Sequence, residues 1–171
     1  DELAPILDQL EQIIASDQSM LSEEQRSGVS GHIFTLRASL ETLTAANPDR
    51  IIAASLASLK GLPLTERGGR ATALGYQASA MQLRGDQDEA FDLLESELAN
   101  PSPGAPAKVQ LYLSLCLLCE RIGDFARMEN AVRRFLAIDP GGVADHSGAN
   151  WMAGRVAYER NQIGRAHKHY S

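Results

Sequence analysis

A short break in helical patterning returns every 38 residues along this chain, at Asn47-Pro48-Asp49, Gly85-Asp86, Gly123-Asp124 and Asn161-Gln162. The slots around each break repeat too. Seven residues before it stand Leu40, Ala78, Cys116 and Gly154, mostly small; five residues after it stand Ile52, Ala90, Met128 and Ala166, all apolar. A fixed period of this length marks stacked supersecondary units, none of which can bury its apolar face alone. The expected fold is a helical solenoid, an architecture that more often binds than catalyses.

Composition narrows the choice further. The chain has 171 residues, enough for one domain, and 44% hydrophobic content supplies a core. Aromatics make up only 5%, and Ala and Leu dominate, which favours close helix packing over sheets. A net charge of −6 argues against a nucleic-acid surface, which needs clustered Lys and Arg. No stretch reads as a transmembrane segment or a signal peptide, so a cytoplasmic location is expected. The sequence breaks off at His167-Lys168-His169-Tyr170-Ser171 inside an apparent helix. The expectation is an excised part of a longer protein.

Helix signals run throughout. Leu3, Ile6, Leu7, Leu10, Ile13 and Ile14 share one stripe of a first helix over residues 2–15, with Pro5 in its first turn. Ser22-Glu23-Glu24-Gln25 reads as a capping box opening a helix to about Ala46, weakened near its start by Gly28 and Gly31. Asn47-Pro48 caps and opens the next helix. Thr65 is expected to cap a helix over 66–84, and Asp86 and Asp124 to cap those following Gly85 and Gly123. Residues 100–106, with three prolines, read as a non-helical linker and the expected hinge; Asp139-Pro140-Gly141-Gly142 reads as a loop. The chain thus divides into an N-terminal helix (1–21) and four hairpins (22–61, 62–100, 107–142 and 143–171), within a single domain over 1–171.

Set against the breaks, each hairpin resembles a tetratricopeptide repeat. Ala78, Gly154, Ala90 and Ala166 occupy its small-residue slots, Tyr170 its second-helix aromatic and Pro140 its closing proline. Cys116, Met128, Leu94 and Val132 depart from the pattern. A sharper likeness lies in 149–170, Ala-Asn-Trp-Met-Ala-Gly-Arg-Val-Ala-Tyr-Glu-Arg-Asn-Gln-Ile-Gly-Arg-Ala-His-Lys-His-Tyr. This resembles the repeat region of MalT-like, ATP-dependent LuxR-family bacterial transcriptional regulators. Residues 31–38, 83–90, 123–125 and 134–137 are similar to earlier parts of that region, so the likeness spans roughly 26–171.

The resemblance implies an all-α, tetratricopeptide-like right-handed superhelix. It also implies a cytoplasmic signal-receiving module that binds a small inducer or regulatory protein and passes the event to oligomerisation and DNA binding elsewhere. The alternative is a general tetratricopeptide adaptor for a peptide or protein partner, unrelated to transcription. No phosphate-binding loop and no basic recognition helix occur in this sequence, so ATP hydrolysis and direct nucleic-acid contact are not expected of these residues.

Carried over by position, the groove-lining first helices would present Arg37 and Glu41, then Ser79 and Gln82, then Glu120 and Arg121. The fourth would present Trp151, Arg155, Tyr158 and Glu159. Guanidinium groups beside aromatic rings suit carboxylates, phosphates, sugar faces or peptide side chains, and the cluster 151–159 is the leading candidate. Cys116 and Cys119 lie mid-helix among leucines, where core packing is expected rather than redox or zinc chemistry. His167 and His169, two apart, point to different helix faces; His32 and His146 stand alone. No metal, cofactor or catalytic residue is expected here, and no membrane contact. An apolar open end after Tyr170 also invites a homodimer.

Overall fold

The computed structural model describes residues 3–16, 20–44, 47–100, 104–138 and 147–171. Every regular element among them is an α-helix, and none is a strand. In order they are α1 (Leu3–Ala15), α2 (Glu23–Leu43), α3 (Pro48–Gly61), α4 (Arg67–Arg84), α5 (Gln87–Ala99), α6 (Ala105–Ile122), α7 (Phe125–Leu136), α8 (Ser147–Glu159) and α9 (Ile163–Tyr170). Helix α6 begins at Ala105, two residues before the range expected for its hairpin.

Local chemistry explains most boundaries. The Gln25 amide donates to Ser22 Oγ at 3.2 Å while the Ser22 amide donates to Gln25 Oε1 at 2.9 Å, a complete capping box. Asn47 Oδ1 accepts from the Asp49 amide, and Asp124 Oδ1 from the Arg127 amide, both at 2.9 Å. Gly85 and Gly123 take left-handed φ values of 104° and 73°, which glycine adopts without a Cβ clash. Past them, the Asp86 and Asp124 amides donate back to the Met81 and Cys119 carbonyls, closing α4 and α6.

Four local expectations are corrected. Asp86 stands at the head of α5 but makes no side-chain cap; its carboxylate pairs with Arg84 instead. The N-cap of α4 is Glu66, not Thr65, and it too lacks a side-chain bond. Nothing delays the start of α2 at Gly28 or Gly31: the glycine at 31 admits the backbone of α3, as a Cβ there would sit 2.6 Å from the Leu62 nitrogen. The proline-rich stretch is helical from Ala105, because Pro106 falls in the first turn where its missing N–H is not needed. Residues 101–103, the expected loop at 139–142 with Pro140, and His146 lie outside the described residues.

Packing follows a simple rule. Among the described residues, α2, α4 and α6 each pack on the next even helix, and the backbones of the odd-numbered helices lie against even-numbered ones, α5 and α7 meeting through the Arg127 side chain on Phe91 and Glu95. The result is two layers, in which successive hairpins are joined both by even helix on even helix and by α3, α5 and α7 each packing on the even helix of the next hairpin. The main core runs through the later hairpins, uniting Phe91, Leu94, Leu111, Leu118, Met128, Val132, Met152 and Val156. A smaller cluster of Ala38, Ile51 and Ala80 joins α2, α3 and α4.

The first helix is attached more lightly. Only Leu7 and Ile14 of its stripe are buried, against Ile33 and Leu40 of α2. Polar anchorage comes from Arg37, whose guanidinium donates to Glu11 (2.6 Å) and Asp8 (2.5 Å), and those hydrogen bonds hold its proton more firmly than usual. Arg37→Ala is expected to loosen α1 alone, costing roughly 1 kcal/mol because the pair is partly solvated. Hydrogen exchange should then quicken across 3–15 and stay unchanged in α4–α7. Uniform quickening would assign Arg37 a global role instead.

Candidate interaction surface

The repeat period converts into a contact rule at two positions of the even-numbered helices. Ten residues before the breaks stand Arg37, Gly75, Leu113 and Trp151; three before stand Thr44, Gln82, Glu120 and Tyr158. From α4, Gly75 lies so close to α6 that a Cβ on it would meet Ser114 Oγ at 2.3 Å, and Gln82 Nε2 donates to the Leu118 carbonyl at 2.9 Å. From α6, Leu113 reaches α8 at Gly148, and Glu120 accepts from Arg155 Nε at 2.9 Å. Twice, then, the same two positions hold one even helix to the next. The first repeat departs: Arg37 turns to α1, and the Thr44 hydroxyl donates within its own helix to Leu40.

On α8 these positions carry Trp151 and Tyr158, which are 47% and 56% exposed. Between them lies Arg155, gripped by Glu120 and, at 3.0 Å, by Glu159. Two carboxylates around one guanidinium leave it little free positive charge for an anion. The patch therefore offers two exposed aromatic side chains beside an ion-pair cluster that carries one net negative charge. Such a surface suits apolar or amphipathic groups.

The other expected groove residues are dispersed. Glu41 pairs with Arg50 of α3 at 2.6 Å, Ser79 is buried, and Gln82 is spent on Leu118. Arg121 is exposed at the end of α6. Helix α2 touches neither α6 nor α8, so Arg37 and Glu41 do not join the cluster at 151–159. Sequence reasoning missed a cleft of about 550 Å³ where Leu59, Leu64, Arg67, Leu74 and Leu111 converge. Its walls come from four helices and a turn, which leaves no local signal. Arg70, also lining it, is occupied with the Leu59 and Leu62 carbonyls at the end of α3.

Both cysteines are fully buried, as expected of core thiols. Burial, reinforced at Cys116 by Cys119 and at Cys119 by Asp124, pushes each thiol up from 9.0 to about 12. The folded state thus favours the neutral form. No stability is lost below pH 9; above it the unfolded chain ionises first, and stability falls until the folded thiols titrate near pH 12. The urea midpoint should drop across that window, less steeply in Cys116→Ala/Cys119→Ala. Below pH 9, an aromatic disulfide reagent should modify neither thiol until the protein unfolds; rapid labelling of the folded protein would contradict the burial.

Among the described residues no three His, Cys, Asp or Glu side chains cluster closely enough to hold a metal, and no helix is long and apolar enough to cross a membrane. What fold and surface define is an all-α, two-layered helical stack with an aromatic patch on its last even helix. No protein-family model matches the chain, and no curated protein or solved structure is significantly similar to it.

Proposed function

We propose that this chain is a tetratricopeptide-like, right-handed superhelical module that receives a signal for a MalT-like, LuxR-family transcription regulator. In this reading it binds a small inducer or a regulatory protein, and domains outside it carry oligomerisation and DNA binding. One observation carries the repeat assignment: the even helices stack through the same two positions in successive 38-residue periods. The layer whose helices touch one another takes the inner radius of a curved array, which makes it the groove. The regulator class rests on the motif over 149–170, whose Trp151 and Tyr158 are exposed on that layer. A ligand bridging even helices changes the curvature and so repositions whatever lies at the ends.

The test uses dilute protein and a panel of free sugars, amino acids and nucleotides, read by the emission of the single tryptophan, Trp151, and by small-angle scattering. One panel member is expected to shift the emission and the radius of gyration together. No response from any member removes the small-inducer arm. If no panel member acts but a mixed library of short peptides, titrated the same way, shifts the Trp151 emission, the general adaptor is favoured instead.

A further inference from the structure

The proposed function does not use the cleft of about 550 Å³ among α3, α4, α5 and α6. Its volume lies within the range of small-ligand sites, roughly 300–1,000 Å³. Leu59, Leu64, Leu74 and Leu111 give it apolar walls. Arg67 and Arg70 of α4 and Glu97 of α5 line the same space. Among the described residues, the Arg67 and Glu97 side chains have no hydrogen-bond or ion-pair partner. Arg70 spends one nitrogen on the Leu59 and Leu62 carbonyls and has no carboxylate beside it. This is unlike the cleft among α5, α6 and α7, where Arg127 is already matched by Glu95 at 2.8 Å. Apolar walls thus carry two guanidinium groups against one carboxylate, all three unpaired.

We propose that this cleft binds a small monocarboxylic acid with an apolar tail, an aliphatic acid of medium length being the simplest case. The carboxylate meets Arg67, whose forked donors match its two oxygens, and Arg70 adds positive charge. The tail lies along Leu59, Leu74 and Leu111. Charge sets the rest of the preference. One negative charge balances the cleft; a diacid adds a second that Glu97 repels, and an alkylamine meets two like charges. An uncharged alcohol leaves Arg67 unmatched. A sugar or a phosphate ester would press hydroxyl groups against leucine walls that offer them no partner. The walls come from α3, from α4 and α5, and from α6, so a bound acid ties three successive hairpins together. This inference goes beyond the proposed function and does not involve the α8 patch.

Calorimetric titration of the whole chain with octanoate, octylammonium and 1-octanol, each below the concentration at which it aggregates, tests it. Octanoate is expected to saturate a single site, to raise the melting temperature and to bind less well as salt is added. The amine and the alcohol should bind about tenfold more weakly or not at all. Hydrogen exchange places the site: octanoate should slow it over 59–74 and 105–111 and leave 147–159 unchanged. Two variants separate charge from packing. Arg67→Gln should weaken octanoate about tenfold, and Glu97→Gln should tighten it roughly threefold, a gain that loosened packing would not give. Neither side chain has a partner to lose, so both variants should melt like the parent. Failure of octanoate to bind, equal binding of octanol, full affinity in Arg67→Gln or slowing confined to 147–159 overturns the proposal. The response of Trp151 to the metabolite panel is a separate readout, so failure at this cleft leaves the proposed function standing, and a chain that binds octanoate but ignores the panel and peptides defeats only that function.

Discussion

Phe91→Ala should lower the free energy of unfolding by about 3–5 kcal/mol. Phe91 is 2% exposed, in the cluster that spans α4–α8, so its loss opens a cavity in the core those five helices share. Its ring also carries the Arg127 guanidinium 3.8 Å from its centroid, and Arg127 pairs with Glu95 at 2.8 Å. Removing the ring therefore releases a cation–π contact and a link between α5 and α7 along with the apolar burial. Domains of this size commonly have 5–15 kcal/mol in all, so the variant should stand near the edge of folding. Urea unfolding is the measurement, with Phe91→Leu as a milder companion that keeps most of the volume. A loss below about 1 kcal/mol would mean that the later hairpins do not depend on this core.

Gly31→Ala is the second large effect, at about 2–3 kcal/mol. A methyl group there would lie 2.6 Å from the Leu62 nitrogen and 2.9 Å from the Gly61 carbon, both backbone atoms that cannot turn aside. Gly61 faces it, with the Ser27 hydroxyl donating to the Gly61 carbonyl at 3.1 Å. Two helices cross here with nothing but hydrogen between them. Gly68→Ala is the control: its Cβ would meet nothing within 4 Å, and helix propensity alone should give a gain of roughly 0.5 kcal/mol. If thermal melts ranked both variants alike, the crossing would not be close.

Much of the fold was legible before any coordinates. Helix type and many boundaries follow from local rules acting within a few residues: the Ser22–Gln25 box, Asn47-Pro48, and glycines ending α4 and α6. The misses have two causes, one local and one distant. Asp86 has the right type and place for a cap, but a guanidinium two residues away, Arg84, competes for its carboxylate and wins. Gly31 looks like a helix weakness because the sequence does not show the Gly61 backbone arriving 30 residues later.

The candidate surface was legible only in part. Ten residues were expected to line a groove on the grounds of position, and the structure gathers Glu120, Trp151, Arg155, Tyr158 and Glu159 at one end. It gives Arg37 to α1, Glu41 to Arg50 and Gln82 to the Leu118 carbonyl. A polar residue on a repeat helix reads the same in sequence whether it faces solvent or a neighbour, since both faces recur at one period. Only its partners, drawn from the next 38-residue unit, decide between the two.

The sequence by itself determined that the chain is helical and where many of its helices are capped or broken, because hydrogen bonding and capping act over a few residues. Tertiary structure alone decided which helices pack on one another, which charges are already paired and which aromatics are exposed, because these depend on contacts between helices that no local pattern encodes.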